Sequence, residues 1–143
     1  MGEIDGLEMA PQKIVAHPKG DIRHALKQGD AAFKGFGEAY FSEIHFGEIK
    51  GWKKHRRMWL NLVVPVGEVR FVLFDEAQNT FSEFTLGESN YARLTVPPGV
   101  WMAFEGLGTG KNLLLNIASI EHDPDEAENR PVGAFNFFEN RVM

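Results

Sequence analysis

Apolar residues in this chain almost never recur at a helical period. They fall into short runs that Gly, Pro, Asn and Asp cut apart. Val69–Asp75, Phe81–Leu86, Arg93–Val96, Val100–Phe104 and Leu113–Ile120 read as strands, and so, less regularly, do the segments 4–16, 21–26 and 38–49. His17-Pro18-Lys19-Gly20-Asp21, Pro65-Val66-Gly67-Glu68 and Pro97-Pro98-Gly99 carry turn chemistry, with proline setting φ and glycine accepting positive φ. Such a pattern leads to an all-β sandwich or barrel. The 143 residues suffice for one domain with a sizeable core, and no repeat or linker divides them. From Asp123 the chain turns polar, with one helical turn expected near Pro124. Phe135, Phe137 and Phe138 then suggest that the tail, 124–143, packs back on the domain.

The segment from Lys50 to Asn61 is the most unusual. Lys50, Lys53, Lys54, His55, Arg56 and Arg57 crowd its first part, yet it runs directly into Leu62-Val63-Val64. Read as one strand, its side chains alternate between faces. Lys53, His55, Arg57, Trp59 and Asn61 then share one face, and that set of cations, aromatic and amide resembles the lining of a pocket. In 38–49 the same parity puts Phe41, Glu43 and His45 on one face and Tyr40, Ser42, Ile44 and Phe46 on the other. Glu43 and His45 would face a ligand or a metal only if their side points inward. Asn116, within an apolar run, needs a hydrogen-bond partner from pocket water or ligand.

A net charge of −5 argues against general nucleic-acid binding. No apolar run is long enough to span a bilayer, and the acidic start, Met1 to Gly6, is unlike a signal peptide. The absence of cysteine excludes disulfides and thiolate metal sites and favours a cytoplasmic location. Gly106-Leu107-Gly108-Thr109-Gly110-Lys111 fails the phosphate-loop pattern, having Glu105 and Asn112 where Gly and Ser or Thr belong, and reads as a hairpin loop between strands. Glu121-His122-Asp123-Pro124-Asp125-Glu126 reads as a solvated loop rather than a metal site.

Three segments together resemble the cupin-type dTDP-4-dehydrorhamnose 3,5-epimerases and their ketoisomerase relatives. They are Gly20-Asp21-Ile22-Arg23, Lys50-Gly51-Trp52-Lys53-Lys54-His55, and Val96-Pro97-Pro98-Gly99-Val100-Trp101-Met102-Ala103-Phe104. The likeness extends through Asp123-Pro124 and is stronger to a divergent branch with Gly-Trp-x-Lys-His and His-Asp-Pro-Asp-Glu elements. It implies a double-stranded β-helix, or jelly-roll, barrel. It also implies a homodimer joined through the amino-terminal strands of residues 1–16, and a nucleotide-linked sugar as ligand in cell-surface polysaccharide synthesis, with no cofactor and no metal. Arg23 and Lys50 would meet the diphosphate.

The departures from the family pattern concern the chemistry. The position of the family's histidine base is Lys53, with His55 two residues on; the family's tyrosine acid falls near Asn116; the histidine after the Pro-x-Gly turn is Met102. Epimerisation beside a ketone needs a base and an opposite-face acid. His55 is the expected base, with Lys53 as second catalytic candidate; no acid is assigned. Arg57, Glu43, His45, Asn61, Trp101 and Asn116 complete the expected ligand set. A non-catalytic sugar-nucleotide or glycan binding module is the alternative, and a metal-dependent oxygenase a third.

Overall fold

The computed structural model describes residues 4–138. Readings that touch residues 1–3 or 139–143, at the start of the amino-terminal segment and the end of the tail, lie outside them.

The strands are β1 (Glu8–Pro11), β2 (Ile14–Val15), β3 (Ile22–Arg23), β4 (Glu38–Glu43), β5 (Ile49–His55), β6 (Leu60–Val66), β7 (Glu68–Asp75), β8 (Thr80–Gly87), β9 (Ala92–Val96), β10 (Trp101–Gly106), β11 (Leu113–Ala118) and β12 (Ala127–Asn129). They form one five-stranded sheet in the order β1-β9-β6-β11-β4, a second in the order β12-β5-β10-β7-β8, and a small β2-β3 ribbon. The strand pairs within the sheets are antiparallel. Leu60, Leu62, Val64, Leu94 and Leu114 of the first sheet meet Val69, Phe71, Leu73 and Leu86 of the second in one core. This is the expected all-β jelly-roll barrel. No helix among the described residues is long and apolar enough to cross a membrane.

Successive strands often change sheet, and this corrects three local readings. The segment from Lys50 to Asn61 is two strands. At its break the Arg56 amide donates to the Glu126 carbonyl at 2.8 Å, and the Arg57 and Met58 amides donate to the Glu126 carboxylate, each at 2.7 Å. The donors that would continue the ladder are thus spent, the chain crosses to the other sheet, and face parity is reset at Leu60. The segment 38–49 stops being strand at Glu43: the Ile44 amide makes a last in-register bond to the Asn112 carbonyl at 3.1 Å, and Phe46 then bridges to Gly106 of the other sheet. Gly106 to Lys111 is a crossover between sheets and no hairpin. Buried Asn112 shapes it: Oδ1 accepts from the Glu68 and Gly108 amides, and Nδ2 donates to the Ile44 and Gly108 carbonyls.

Two coverings finish the barrel. The segment 24–36 lies over the outer face of the first sheet, where buried Arg93 donates to the Ala25 carbonyl and Asp30, both at 3.1 Å. The tail covers the outer face of the second sheet: Phe135 and Phe138 pack on Trp52, Phe135 also on Trp101, and Trp52 Nε1 donates to the Val132 carbonyl at 3.0 Å. On this sheet β5 and β10 approach so closely that a Cβ on Gly51 would sit 2.5 Å from the Ala103 Cβ, so only glycine fits.

Candidate active site

A cavity of about 270 Å³ opens between the sheets at one end of the barrel. Its floor is apolar, with Leu60, Leu62, Val96, Met102, Phe104 and Leu114. One wall, from β5 of the second sheet, carries Lys50, Lys53 and His55. The facing wall, from β4 and β11 of the first sheet, carries Glu38, Tyr40, Ser42 and Asn116, and His122 stands at the margin.

His55 is held by a buried acid. Its Nδ1 lies 2.7 Å from Oε1 of Glu126, whose side chain is 1 % exposed. Glu126 sits in a 3-10 turn, Pro124–Glu126, capped by Asp123, whose side chain accepts from the Asp125 amide. Burial by itself would raise the Glu126 carboxyl; the Arg57 amide, the His55 ring and the Met58 amide outweigh it and hold the pKa at about 2. The ionised carboxylate only accepts, so the proton between the two belongs to imidazole Nδ1. A neutral His55 therefore has its lone pair on Nε2, which has no hydrogen-bond partner among the described residues. A base with a fixed tautomer follows from this arrangement.

On the facing wall, Asn116 Nδ2 donates to the Tyr40 hydroxyl at 3.0 Å. The two residues are register partners on β11 and β4. Burial pushes the Tyr40 hydroxyl up, with the Asn116 hydrogen bond pulling against it and nearby Glu38 adding to the rise. Among the described residues Asn116 Oδ1 is buried with no partner, and buried acceptors of this kind normally have one.

The structure brings together Lys50, Lys53, His55 and Asn116 of the expected set. Arg57 leaves it: after the β5 break it points outward and pairs with Asp123 at 3.5 Å, its side chain 61 % exposed. Asn61 points to the outer face of the first sheet, donating to the Ala32 carbonyl at 3.0 Å and accepting from Thr95 Oγ1 at 2.6 Å. Glu43 and His45 are exposed, on the odd-numbered side of β4 and its extension, while the even-numbered side lines the cavity. Glu43 pairs instead with Lys111 at 2.9 Å. Trp101 is fully buried on the outer face of the second sheet, where its Nε1 donates to Glu76; its neighbours Met102 and Phe104 line the cavity. Arg23, on the ribbon and close to Tyr91, is not part of the lining. The reading of 121–126 as a solvated loop misses Glu126, although that residue falls inside the His-Asp-Pro-Asp-Glu element on which the resemblance draws. Tyr40 is missed because no periodic signal marks which side of β4 faces inward.

No protein-family model matches the chain. A solved structure described as a dTDP sugar isomerase from Desulfovibrio desulfuricans G20 is 32 % identical, with a TM-score of 0.87 over 92 % of this chain and 87 % of that one. The chain belongs to the RmlC-like family of dTDP-sugar epimerases and isomerases. RmlC of Legionella pneumophila Philadelphia 1, solved with dTDP-4-keto-L-rhamnose, has the same fold at 17 % identity, with a TM-score of 0.80 over 92 % of this chain and 76 % of that one. Among curated proteins, the spore coat polysaccharide biosynthesis protein SpsL of Bacillus subtilis (strain 168) is 24 % identical over 136 residues, 90 % of this chain and 89 % of that one. Lys53, Met102 and Asn116 all line the cavity.

Proposed function

We propose that this protein is an epimerase or isomerase of a nucleotide-linked keto sugar, acting in the cytoplasm in cell-surface polysaccharide biosynthesis. The observation that carries the reading is the His55–Glu126 pair in the cavity of an RmlC-like barrel, with Nε2 available to take a proton. A carbon acid beside a ketone is acidic enough for an imidazole to deprotonate when the base is held in place. Lys50 and Lys53, both exposed on the same wall, suit the diphosphate, since an exposed ammonium binds anions better than it abstracts protons. Arg23, on the β2-β3 ribbon, lies outside the lining, and the protein is proposed to act as a homodimer through its amino-terminal strands.

The test is incubation with dTDP-4-keto-6-deoxyglucose in deuterated water, followed by mass spectrometry and NMR. Deuterium entering the sugar ring beside the ketone, and lost in His55→Asn, is expected. Tight dTDP binding in calorimetry without any deuterium uptake would replace this reading by that of a binding module.

A further inference from the structure

The family's tyrosine position is occupied by Asn116, which leaves the wall opposite His55 without an evident acid. The register of β4 and β11 supplies one. Asn116 stands directly across the strand pair from Tyr40, and its Nδ2 donates to the Tyr40 oxygen at 3.0 Å. That bond uses a lone pair of the phenol oxygen and leaves the phenolic O–H free to donate. Tyr40 lines the cavity from the first sheet and His55 from the second, so the two groups approach a bound ring from opposite sides. Among the described residues Asn116 Oδ1 is buried without a partner, so the bond to Tyr40 is the one side-chain contact that fixes this amide.

We infer that Tyr40, positioned by Asn116, is the proton donor of this enzyme, and that the reaction inverts a carbon next to the ketone. The inference rests on the proposed function. His55 Nε2 takes the proton from that carbon; the C–H electron pair becomes the carbon–carbon double bond of an enolate, and the carbonyl electrons move to its oxygen. The enolate then collapses: the carbonyl re-forms, and the carbon takes the Tyr40 proton on the other face. Tyr40 is left as phenolate and His55 as imidazolium, and proton exchange with water restores both. Two groups on opposite walls give epimerisation, whereas moving the ketone between neighbouring carbons needs only one face. The acid has thus changed strand, from β11 to β4, while the wall it serves is kept. The raised Tyr40 hydroxyl fits a group that keeps its proton until the enolate forms.

Tyr40→Phe separates the two half-reactions. In deuterated water with dTDP-4-keto-6-deoxyglucose, wild type should yield epimer labelled at the inverted carbon. Tyr40→Phe should still wash deuterium into unepimerised sugar, while epimer formation falls by about 10²-fold or more. Its dTDP affinity by calorimetry should match wild type, and it should stay folded by circular dichroism with a melting point only modestly lowered by the lost Asn116 hydrogen bond. Epimer formed by Tyr40→Phe at near wild-type rate would overturn the assignment. So would loss of deuterium wash-in together with product in a folded variant that binds dTDP. Asn116→Ala should show the same split in weaker form, and an unchanged ratio of product to wash-in would remove Asn116 from the arrangement. Failure of the underlying reading would look different: wild type itself would take up no deuterium.

Discussion

Glu105 and Glu126 are both buried carboxylates, 3 % and 2 % exposed, and both hold a basic side chain. Glu105 accepts from Arg70 through Nε at 3.2 Å and Nη2 at 2.6 Å, and Arg70 reaches on to Glu83 at 3.1 Å. The guanidinium lies near the Phe137 and Phe138 rings, on the tail side of the second sheet. Guanidinium stays charged at any pH the protein meets, so this pair is a permanent clamp between β10, β7 and β8. Glu126 holds two amides and an imidazole, and that imidazole lines the cavity. Burial of a carboxylate therefore does not mark chemistry. What marks it is a titratable partner with one nitrogen left open to a cavity.

The comparison can be broken most sharply by kinetics. His55→Asn should lower turnover by about 10²–10⁴-fold, the usual worth of a general base, with the fold intact by circular dichroism. Glu126→Gln should lower kcat/KM by about 10–100-fold through loss of ring orientation. Its unfolding free energy in urea at pH 7 should also fall by roughly 3 kcal/mol, from the depressed carboxyl and its lost amide contacts. Glu105→Gln should cost a similar amount, about 3 kcal/mol, with turnover essentially unchanged. If Glu105→Gln proves as inactive as Glu126→Gln, the distinction between clamp and working pair is wrong.

Acid sharpens it further. The Glu126 pKa is about 2 in the folded chain against an ordinary glutamate value of 4.5. A depressed carboxyl contributes stability that is full above the unfolded value and lost as pH falls through the folded one. Wild type should therefore lose stability relative to Glu126→Gln between pH 4.5 and about 2, and urea melts at several pH values across that window should converge. The smallest effect belongs to Arg57→Ala. Its pair with Asp123 is 61 % and 46 % exposed, so stability should change by less than about 0.5 kcal/mol and dTDP affinity in calorimetry should not change.

The sequence by itself determined the architecture. Short apolar runs divided by Pro-Gly turns have no helical solution, and segments such as Val69–Asp75 and Arg93–Val96 became β7 and β9 almost residue for residue. It also determined that His55 and Lys53 sit two apart on one strand, which puts them on one wall whatever the register. Tertiary structure decided the rest. Alternation along a strand separates two faces without saying which is inside, so Glu43 and His45 were exchanged for Tyr40 and Ser42. Parity also ends where a strand changes sheet, which sent Arg57 and Asn61 away from the cavity. Glu126 was decided by long-range contact alone. A carboxylate in a polar run carries no local sign of burial, and only the meeting of residues 55–58 with 126, about 70 positions apart in the chain, gave it three donors and a task.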